Sequence, residues 1–224
     1  MLLYLHGFAS GPLSTKAQEF KRRFAALGIP LELPALDEGD FTHLTLTRQL
    51  AVVERCCRAR KDGEPLVLIG SSMGGYLSTL YASAHPVTAL VLMAPAVDLD
   101  RSWRSRLGPE ALAKWEREGT TPIFHFGQKR ELPLAFGLLE DAPRHAAFPR
   151  ITAPTLVLHG TRDETVRQDR VEAFLSRTPS ARLVLYDSGH ELTDVVGPIF
   201  EEARTFLASL PEVRAAYPSL ARTA

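Results

Sequence analysis

The chain has 224 residues, of which 45% are hydrophobic, enough for one compact domain with a sizeable core. Its 26 basic residues balance its 26 acidic residues without any basic block, which argues against a nucleic-acid partner and favours a small molecule bound in a pocket. The two cysteines, Cys56 and Cys57, are adjacent, so neither a disulfide framework nor a metal site is expected. The composition leaves the oligomeric state open.

The start of the chain, MLLYLHGF, is apolar but too short for a signal sequence, and it carries no basic residues before the apolar stretch. No later segment reaches the length of a membrane span. We therefore expect no membrane insertion, no export and a cytoplasmic location.

Short apolar runs recur along the chain and alternate with helical patterns. Each run continues without polar alternation, which predicts a strand buried on both faces of a sheet. The order predicts an α/β fold with a mostly parallel sheet of about six strands flanked by helices, and functional residues directly after the strands. The predicted strands are Leu2–Leu5, Leu31–Leu33, Leu66–Ile69, Ala89–Met93, Thr155–Leu158 and Leu183–Tyr186.

Two helical patterns lie between the first predicted strands. Residues 14–27 repeat apolar side chains at helical spacing, and Thr15 and Gln18 have the spacing of a capping box. In the second pattern, one predicted face carries Leu46, Leu50, Val53 and Cys57.

Residues 96–149 interrupt this alternation with prolines and aromatic residues, and they separate two strands by far more than an ordinary connection. We interpret this stretch, called the cap segment below, as an insertion of short helices, with a small hairpin in TPIFHFGQKRELPL. Residues 1–210 are then one domain, and residues 211–224 are a loosely held extension.

Gly70, Ser72 and Gly74 form the pattern G-x-S-x-G between a predicted strand and a predicted helix. A sharp turn there would lift the Ser72 hydroxyl above the sheet edge, as a nucleophile requires, with the start of the helix beneath it. The alternative is a glycine and serine turn without a chemical role.

A serine hydroxyl needs a base, and His190 follows the last predicted strand in the sequence YDSGHE. Asp163, after the preceding strand, is the candidate carboxylate that orients His190, and Asp98 is a competitor. His159 is expected to pack within its loop. Surface positions are expected for the remaining candidates, His43, His125 and His145.

An acyl-transfer site also needs backbone donors for the oxyanion that forms during attack. The N–H of Met73, the residue after the nucleophile, is the first candidate. The N–H of Phe8, in the loop after the first strand, is the second.

The stretches LLYLHGFASGPLSTKA, GSSMGGYLSTLYA, LVLHGTRDETV and DSGHE together resemble the α/β-hydrolase superfamily, in which the triad also follows the order serine, acid, histidine. The opening stretch resembles small YqiA-like bacterial esterases and related thioesterases that remove long acyl chains from proteins. The resemblance implies hydrolysis of carboxylic esters or thioesters, with Ser72 as nucleophile, Asp163 as acid and His190 as base, and with no metal or organic cofactor.

Other functions remain compatible with the same residues. A peptidase, a C–C bond hydrolase or an acyltransferase could use this triad, and a catalytically silent ligand-binding protein could share the scaffold. The cap segment is expected to set substrate choice, and an apolar lining would favour small to medium apolar acyl groups. Its candidate lining residues are Trp103, Trp115, Phe124, Phe126 and Phe136.

Overall fold

A five-stranded parallel sheet lies at the centre of the computed structural model, which describes residues 1–221. The strands in these residues are β1 (Leu2–Leu5), β2 (Val67–Ser71), β3 (Ala89–Met93), β4 (Thr120–His125), β5 (Arg130–Ala135), β6 (Thr155–Gly160) and β7 (Ala181–Tyr186). The sheet has the order β1-β2-β3-β6-β7, with every neighbouring pair parallel, and β4 pairs with β5 in a separate antiparallel hairpin. The α/β class and the parallel sheet are thus confirmed.

Two details of the predicted sheet are wrong. The run Leu31–Leu33 forms no full strand but a single bridge, in which the Glu32 N–H donates to the Leu2 carbonyl oxygen at 3.0 Å. Pro30 and Pro34 flank this run and have no N–H to extend the ladder. The last strand, β7, is not buried on both faces, because it lies at the sheet edge, where Leu185 is 42% exposed.

Helices cover both faces of the sheet, because side chains along each strand alternate between two apolar cores. The helices in residues 1–221 are α1 (Thr15–Ala26), α2 (Leu46–Arg58), α3 (Met73–Ala84), α4 (Leu99–Glu118), α5 (Gly137–Asp141), α6 (Gln168–Leu175), α7 (Val196–Ser209) and α8 (Pro211–Ala216). Leu3 and Leu5 face the core formed with α2, α3 and α6, whereas Leu2 and Tyr4 face the core formed with α1 and α7.

The starts of α1 and α2 differ in their capping. In α1 the predicted capping box is wrong: Ser14 is the capping residue, and the Gln18 side chain donates instead to the Pro12 carbonyl oxygen at 2.8 Å. In α2 the Thr45 hydroxyl accepts a hydrogen bond from the Arg48 N–H at 3.0 Å. On the predicted inner face of α2, Leu46, Val53 and Cys57 are buried and Leu50 is partly buried.

The cap segment contains α4, the hairpin of β4 and β5, and α5, so the predicted hairpin is present. Helix α4 bends at Gly108, which has a φ of 76° and precedes Pro109. The Trp115 indole N–H donates to the Leu134 carbonyl oxygen at 2.9 Å and so joins α4 to the hairpin. We propose that this segment acts as a cap inserted into a domain spanning residues 1–210.

The segment after Leu210 packs against the core, so the expectation of a loosely held extension is wrong for residues 211–221. Val213 and Leu220 are fully buried, and the Tyr217 hydroxyl donates to Glu64 Oε1 at 3.0 Å. Residues 222–224 of the predicted extension lie outside the described residues. Within residues 1–221, no helix is both long enough and apolar enough to span a membrane.

Candidate active site

Ser72 occupies a sharp turn between β2 and α3, with φ and ψ of 54° and −118°. A β-carbon added at Gly74 would lie 2.1 Å from the Leu5 carbonyl oxygen, and one added at Gly70 would lie 2.4 Å from the Gly74 carbonyl oxygen. No side chain fits at either glycine without moving the backbone. The turn therefore has the geometry of a nucleophile elbow, which presents a serine hydroxyl at the carboxyl edge of the sheet.

The structure brings Ser72, His190 and Asp163 into one hydrogen-bonded chain. His190 Nε2 lies 3.0 Å from Ser72 Oγ, and His190 Nδ1 lies 2.8 Å from Asp163 Oδ2. With Nδ1 protonated, the imidazole donates to the carboxylate and accepts the hydrogen bond of the serine hydroxyl. This arrangement can remove the Ser72 proton during an attack on a carbonyl carbon.

Asp163 is held on both of its carboxylate oxygens. Oδ2 faces His190, and Oδ1 accepts hydrogen bonds from the N–H groups of Thr165 and Val166, each at 2.8 Å. Complete burial of the side chain raises the pKa of Asp163, but the hydrogen bonds and the attraction to His190 outweigh it, so its pKa lies below the ordinary value. Asp163 is therefore ionised at neutral pH and can stabilise an imidazolium.

Parallel pairing of β6 with β7 places the loops that carry Asp163 and His190 side by side. At the end of β6, a β-carbon added at Gly160 would lie 2.4 Å from the Ser188 carbonyl oxygen. Gly160 thus permits the close approach of the two loops. Gly160 is not among the site residues predicted from the sequence, although a glycine directly after a buried apolar run is a signal for such an approach.

The competing carboxylate, Asp98, has another partner. Its Oδ2 accepts a hydrogen bond from Arg170 Nη1 at 2.8 Å. Burial raises the pKa of Asp98 and the attraction of Arg170 opposes that change, so the carboxylate is balanced by an arginine rather than by His190.

His159 is fully buried beside Asp163, as its predicted role in loop packing requires. Its Nδ1 lies 3.8 Å from Asp163 Oδ2, beyond hydrogen-bonding distance. Burial lowers the pKa of His159, so the ring is neutral at pH 7 and adds no charge behind Asp163.

Three histidines are predicted to lie at the surface, and of these His43 alone is exposed. His125 is only 4% exposed and packs edge-on against Phe41, with ring centroids 4.9 Å apart. The side chain of His145 is largely buried and lies 3.2 Å from Asp141 Oδ2. The contact of His125 could not be read from the sequence, because Phe41 and His125 come from distant segments.

The loop after β1 lies beside Ser72 and carries the candidate oxyanion donor Phe8. A β-carbon added at Gly7 would be in ordinary contact, 3.4 Å, with Ser72 Cβ. His6 fixes this loop, because its Nδ1–H donates to the Gly7 carbonyl oxygen at 3.0 Å and its Nε2 accepts from the Leu36 N–H at 3.2 Å. Within residues 1–221 the N–H groups of Phe8 and Met73 have no acceptor, as donors reserved for an oxyanion would require.

A cavity of about 990 Å³ opens over Ser72 and His190. Of the aromatic residues predicted to line it, Trp103 and Phe126 do so, whereas Trp115 and Phe136 are buried in the core. Phe124 lies outside the cavity and packs against Phe126. Other apolar residues of the lining are Phe8, Leu13, Val97, Leu99 and Val166.

Residues 1–221 contain no group of three or more histidine, cysteine or acidic side chains arranged to hold a metal ion. The parallel sheet and the nucleophile elbow define an α/β-hydrolase fold. The chain belongs to the family described as Uncharacterised protein family (UPF0227), whose family model matches residues 1–207.

Comparison with known proteins supports the same superfamily. The chain is 25% identical over 176 residues to the bovine (Bos taurus) protein named palmitoyl-protein thioesterase ABHD10, mitochondrial, and the match covers 74% of this chain and 57% of the relative's length. Among solved structures, the mouse α/β-hydrolase domain-containing protein 10 superposes with a TM-score of 0.79 at 21% identity, covering 93% of this chain and 90% of that one. Est1E from Butyrivibrio proteoclasticus gives a TM-score of 0.70 at 21% identity, with coverages of 92% and 88%.

Proposed function

We propose that the protein is a serine hydrolase that cleaves carboxylic esters or thioesters through an acyl-enzyme on Ser72. The observation that carries the proposal is the contact chain from Ser72 Oγ to His190 Nε2, 3.0 Å, and from His190 Nδ1 to Asp163, 2.8 Å, at the floor of the cavity. Both distances are hydrogen-bonding distances for a nucleophile, its base and the group that orients the base.

The reaction begins when Ser72 Oγ attacks the carbonyl carbon and His190 Nε2 accepts the hydroxyl proton. The N–H groups of Phe8 and Met73 stabilise the negative oxygen of the tetrahedral intermediate. Its collapse breaks the ester or thioester bond, and His190 returns the proton to the departing alcohol or thiol. Water then attacks the acyl-enzyme with His190 again as base, which releases the acid and restores Ser72.

An apolar acyl group of small to medium length suits the lining of the cavity. Trp103 and Phe126 from the cap segment, together with Phe8, offer an apolar surface beside the nucleophile. The name of the bovine relative, a palmitoyl-protein thioesterase, supports thioesters as well as esters. Each methylene group buried there contributes about 0.8 kcal/mol.

We also propose a cytoplasmic location. The support is chemical: Cys56 and Cys57 are free thiols in the structure, as in a reducing compartment. Fractionation of source cells with compartment markers tests it, and recovery outside the cytoplasmic fraction would contradict it.

Active-site labelling with a fluorophosphonate probe tests the proposed nucleophile. Wild-type protein should be labelled and should hydrolyse 4-nitrophenyl butyrate, whereas Ser72→Ala should lose both properties and stay folded. Ser71→Ala is the matched control, because Ser71 is the adjacent serine and is buried at the end of β2, and it should keep labelling. Unlabelled wild-type protein would instead favour the silent ligand-binding scaffold.

A further inference from the structure

Lys16 is a buried lysine at the start of α1 that lines the same cavity as Ser72 and His190. It is only 8% exposed. Within residues 1–221, no carboxylate lies within ion-pair distance of its ammonium group, and no protein atom accepts a hydrogen bond from it. Buried charges in proteins are normally paired, and the cavity is the side from which a partner can reach this cation.

The start of α1 offers no negative charge to compensate the ammonium group of Lys16. Lys16 is the second residue of the helix, where the partial positive charge of the helix N-terminus repels a cation, and the first turn holds no acidic residue. Burial lowers the pKa of Lys16 to about 8, against the attraction of Glu191 and Asp163, so the ammonium persists at pH 7. Helix terminus and ammonium together attract an anion.

A second unpartnered group faces the same cavity. The Tyr4 hydroxyl is buried, and although Ser71 is its neighbour, no atom in residues 1–221 meets hydrogen-bond geometry with it. Tyr4 and Lys16 both line the cavity, so a bound anion can accept hydrogen bonds from the hydroxyl as well as from the ammonium group.

Charge along the cavity wall is uneven, although the whole chain is neutral. Lys16, Arg106 and Lys129 line the cavity, and Glu191 is the one acidic residue of the lining within the described part of the chain. Arg106 and Lys129 are exposed and have no carboxylate within ion-pair distance among residues 1–221. The rim therefore favours the entry of a negatively charged ligand.

We propose that Lys16 binds a carboxylate or phosphate group on the leaving-group side of the substrate, so that the enzyme prefers esters and thioesters that carry this anion. The inference rests on the proposed function. Apolar side chains of the cap segment contact the acyl group, whereas the first turn of α1 contacts the anion. Lys16 acts on specificity and takes no part in bond breaking.

Three butanoyl thioesters that differ only in the leaving thiol test the proposal. They release 3-mercaptopropionate, 2-mercaptoethylphosphonate or the neutral 3-mercaptopropionamide, and a thiol reagent measures each rate at pH 7 and low salt. We expect kcat/KM for at least one anionic substrate to exceed that of the amide about tenfold or more, as expected for a charge-assisted hydrogen bond. The better anion identifies carboxylate or phosphate as the recognised group.

Lys16→Met should reduce this preference to about one while keeping hydrolysis of the neutral thioester, and its Tm should not fall, because an unpaired buried charge is removed. Lys21→Met, on the exposed face of the same helix, is the matched control and should keep the preference. A preference that survives in Lys16→Met, or a Tm that falls without loss of preference, would overturn the proposal in favour of a structural pairing with Glu191.

Failure of the inference and failure of the proposed function give different results. Equal hydrolysis of all three thioesters by wild-type protein overturns the anion site and leaves the hydrolase intact. Rates no greater than those of Ser72→Ala for every ester and thioester overturn the hydrolase itself. If Lys16→Met does not fold, competitive inhibition of the wild type decides: 3-(methylthio)propionate must inhibit more strongly than its amide, and equal inhibition contradicts the proposal.

Discussion

Ser72 illustrates how single residues define the site, because a serine occupies a backbone conformation that L-amino acids rarely adopt. A φ of 54° destabilises the folded chain by about 1–3 kcal/mol, which other interactions must offset. The Ser72 N–H donates to the Met93 carbonyl oxygen at 2.8 Å, and the Ser72 carbonyl oxygen accepts from the Ala96 N–H at 3.0 Å. These bonds join the elbow to β3 and hold the hydroxyl toward His190.

Asp163→Asn should lower kcat about a thousandfold or more, because an amide can hold the wrong imidazole tautomer and cannot stabilise the imidazolium. Asp98→Asn should lower kcat less than about tenfold, since Asp98 pairs with Arg170. Steady-state hydrolysis of 4-nitrophenyl butyrate measures both, with thermal unfolding as a control for folding. An active Asp163→Asn beside an inactive Asp98→Asn would show that our assignment of the acid is wrong.

The preference for an anionic leaving group should decline as pH rises from about 7 to about 9.5, because Lys16, with a pKa of about 8, loses its proton and its charge. The amide thioester is the reference, because any effect of pH on the catalytic groups changes the rates of both substrates alike. Burial raises the pKa of Tyr4, so its hydroxyl stays protonated in this range. The measurement is the ratio of kcat/KM values for the carboxylate thioester over the amide thioester, because the carboxylate keeps the same charge over this range. A ratio that rises or stays constant would contradict the role of Lys16.

At the scale of elements, the hairpin of β4 and β5 is docked on the loop after β1. The Phe126 N–H donates to the Ala9 carbonyl oxygen at 2.8 Å, and the rings of Phe8 and Trp103 pack edge-on with centroids 4.9 Å apart. The cap segment thus contacts the loop that carries a candidate oxyanion donor. A change in the hairpin can alter both the acyl pocket and the position of that donor.

Phe126→Ala should weaken the preference for long acyl chains, because Phe126 lines the cavity and each buried methylene group contributes about 0.8 kcal/mol. The ratio of kcat/KM for octanoyl over acetyl 4-nitrophenyl esters should fall several-fold. Phe124→Ala is the matched control, since Phe124 is also exposed on the hairpin but does not line the cavity. Equal ratios in the two variants would show that Phe126 does not contribute to the preference for long acyl chains.

At the scale of the whole molecule, the last described segment, residues 211–221, packs on α7 and contacts the residues that precede β2. Val213 and Leu220 complete the core beneath α1 and α7, and Tyr217 contacts Glu64. The site lies at the opposite, carboxyl edge of the sheet. The segment after Leu210 is therefore not part of the candidate site.

Leu220→Ala should lower the free energy of unfolding by about 2–4 kcal/mol, as expected for a fully buried leucine that leaves a cavity. The hydrolysis rate of folded protein should not change. Denaturant unfolding measures the loss, and Leu107→Ala, at a leucine that is 37% exposed, should lose less than about 1 kcal/mol. Equal losses would indicate that the segment contributes little to the core.

The α/β class, the parallel sheet and the hairpin in the cap segment could be predicted from the sequence, because these features depend on patterns within a few residues. The turn around Ser72 could be predicted for the same reason, since both flanking glycines are read directly from the chain. Asp163 and His190 could be selected because each follows a strand, and parallel strands end at one edge. Their catalytic roles stay a prediction.

Which side chains are buried, and what they contact, depends on how distant segments pack in the folded chain. The sheet has five strands rather than the predicted six, because Leu31–Leu33 has prolines on both sides and forms only one bridge. His125 is buried because Phe41 packs on it. Lys16 is polar and lies near a helix start, so its local sequence predicts an exposed side chain. It is nevertheless buried at a cavity whose lining also includes residues of β1, β2 and the loop after β7, and the meeting of elements so far apart in the chain leaves no local pattern.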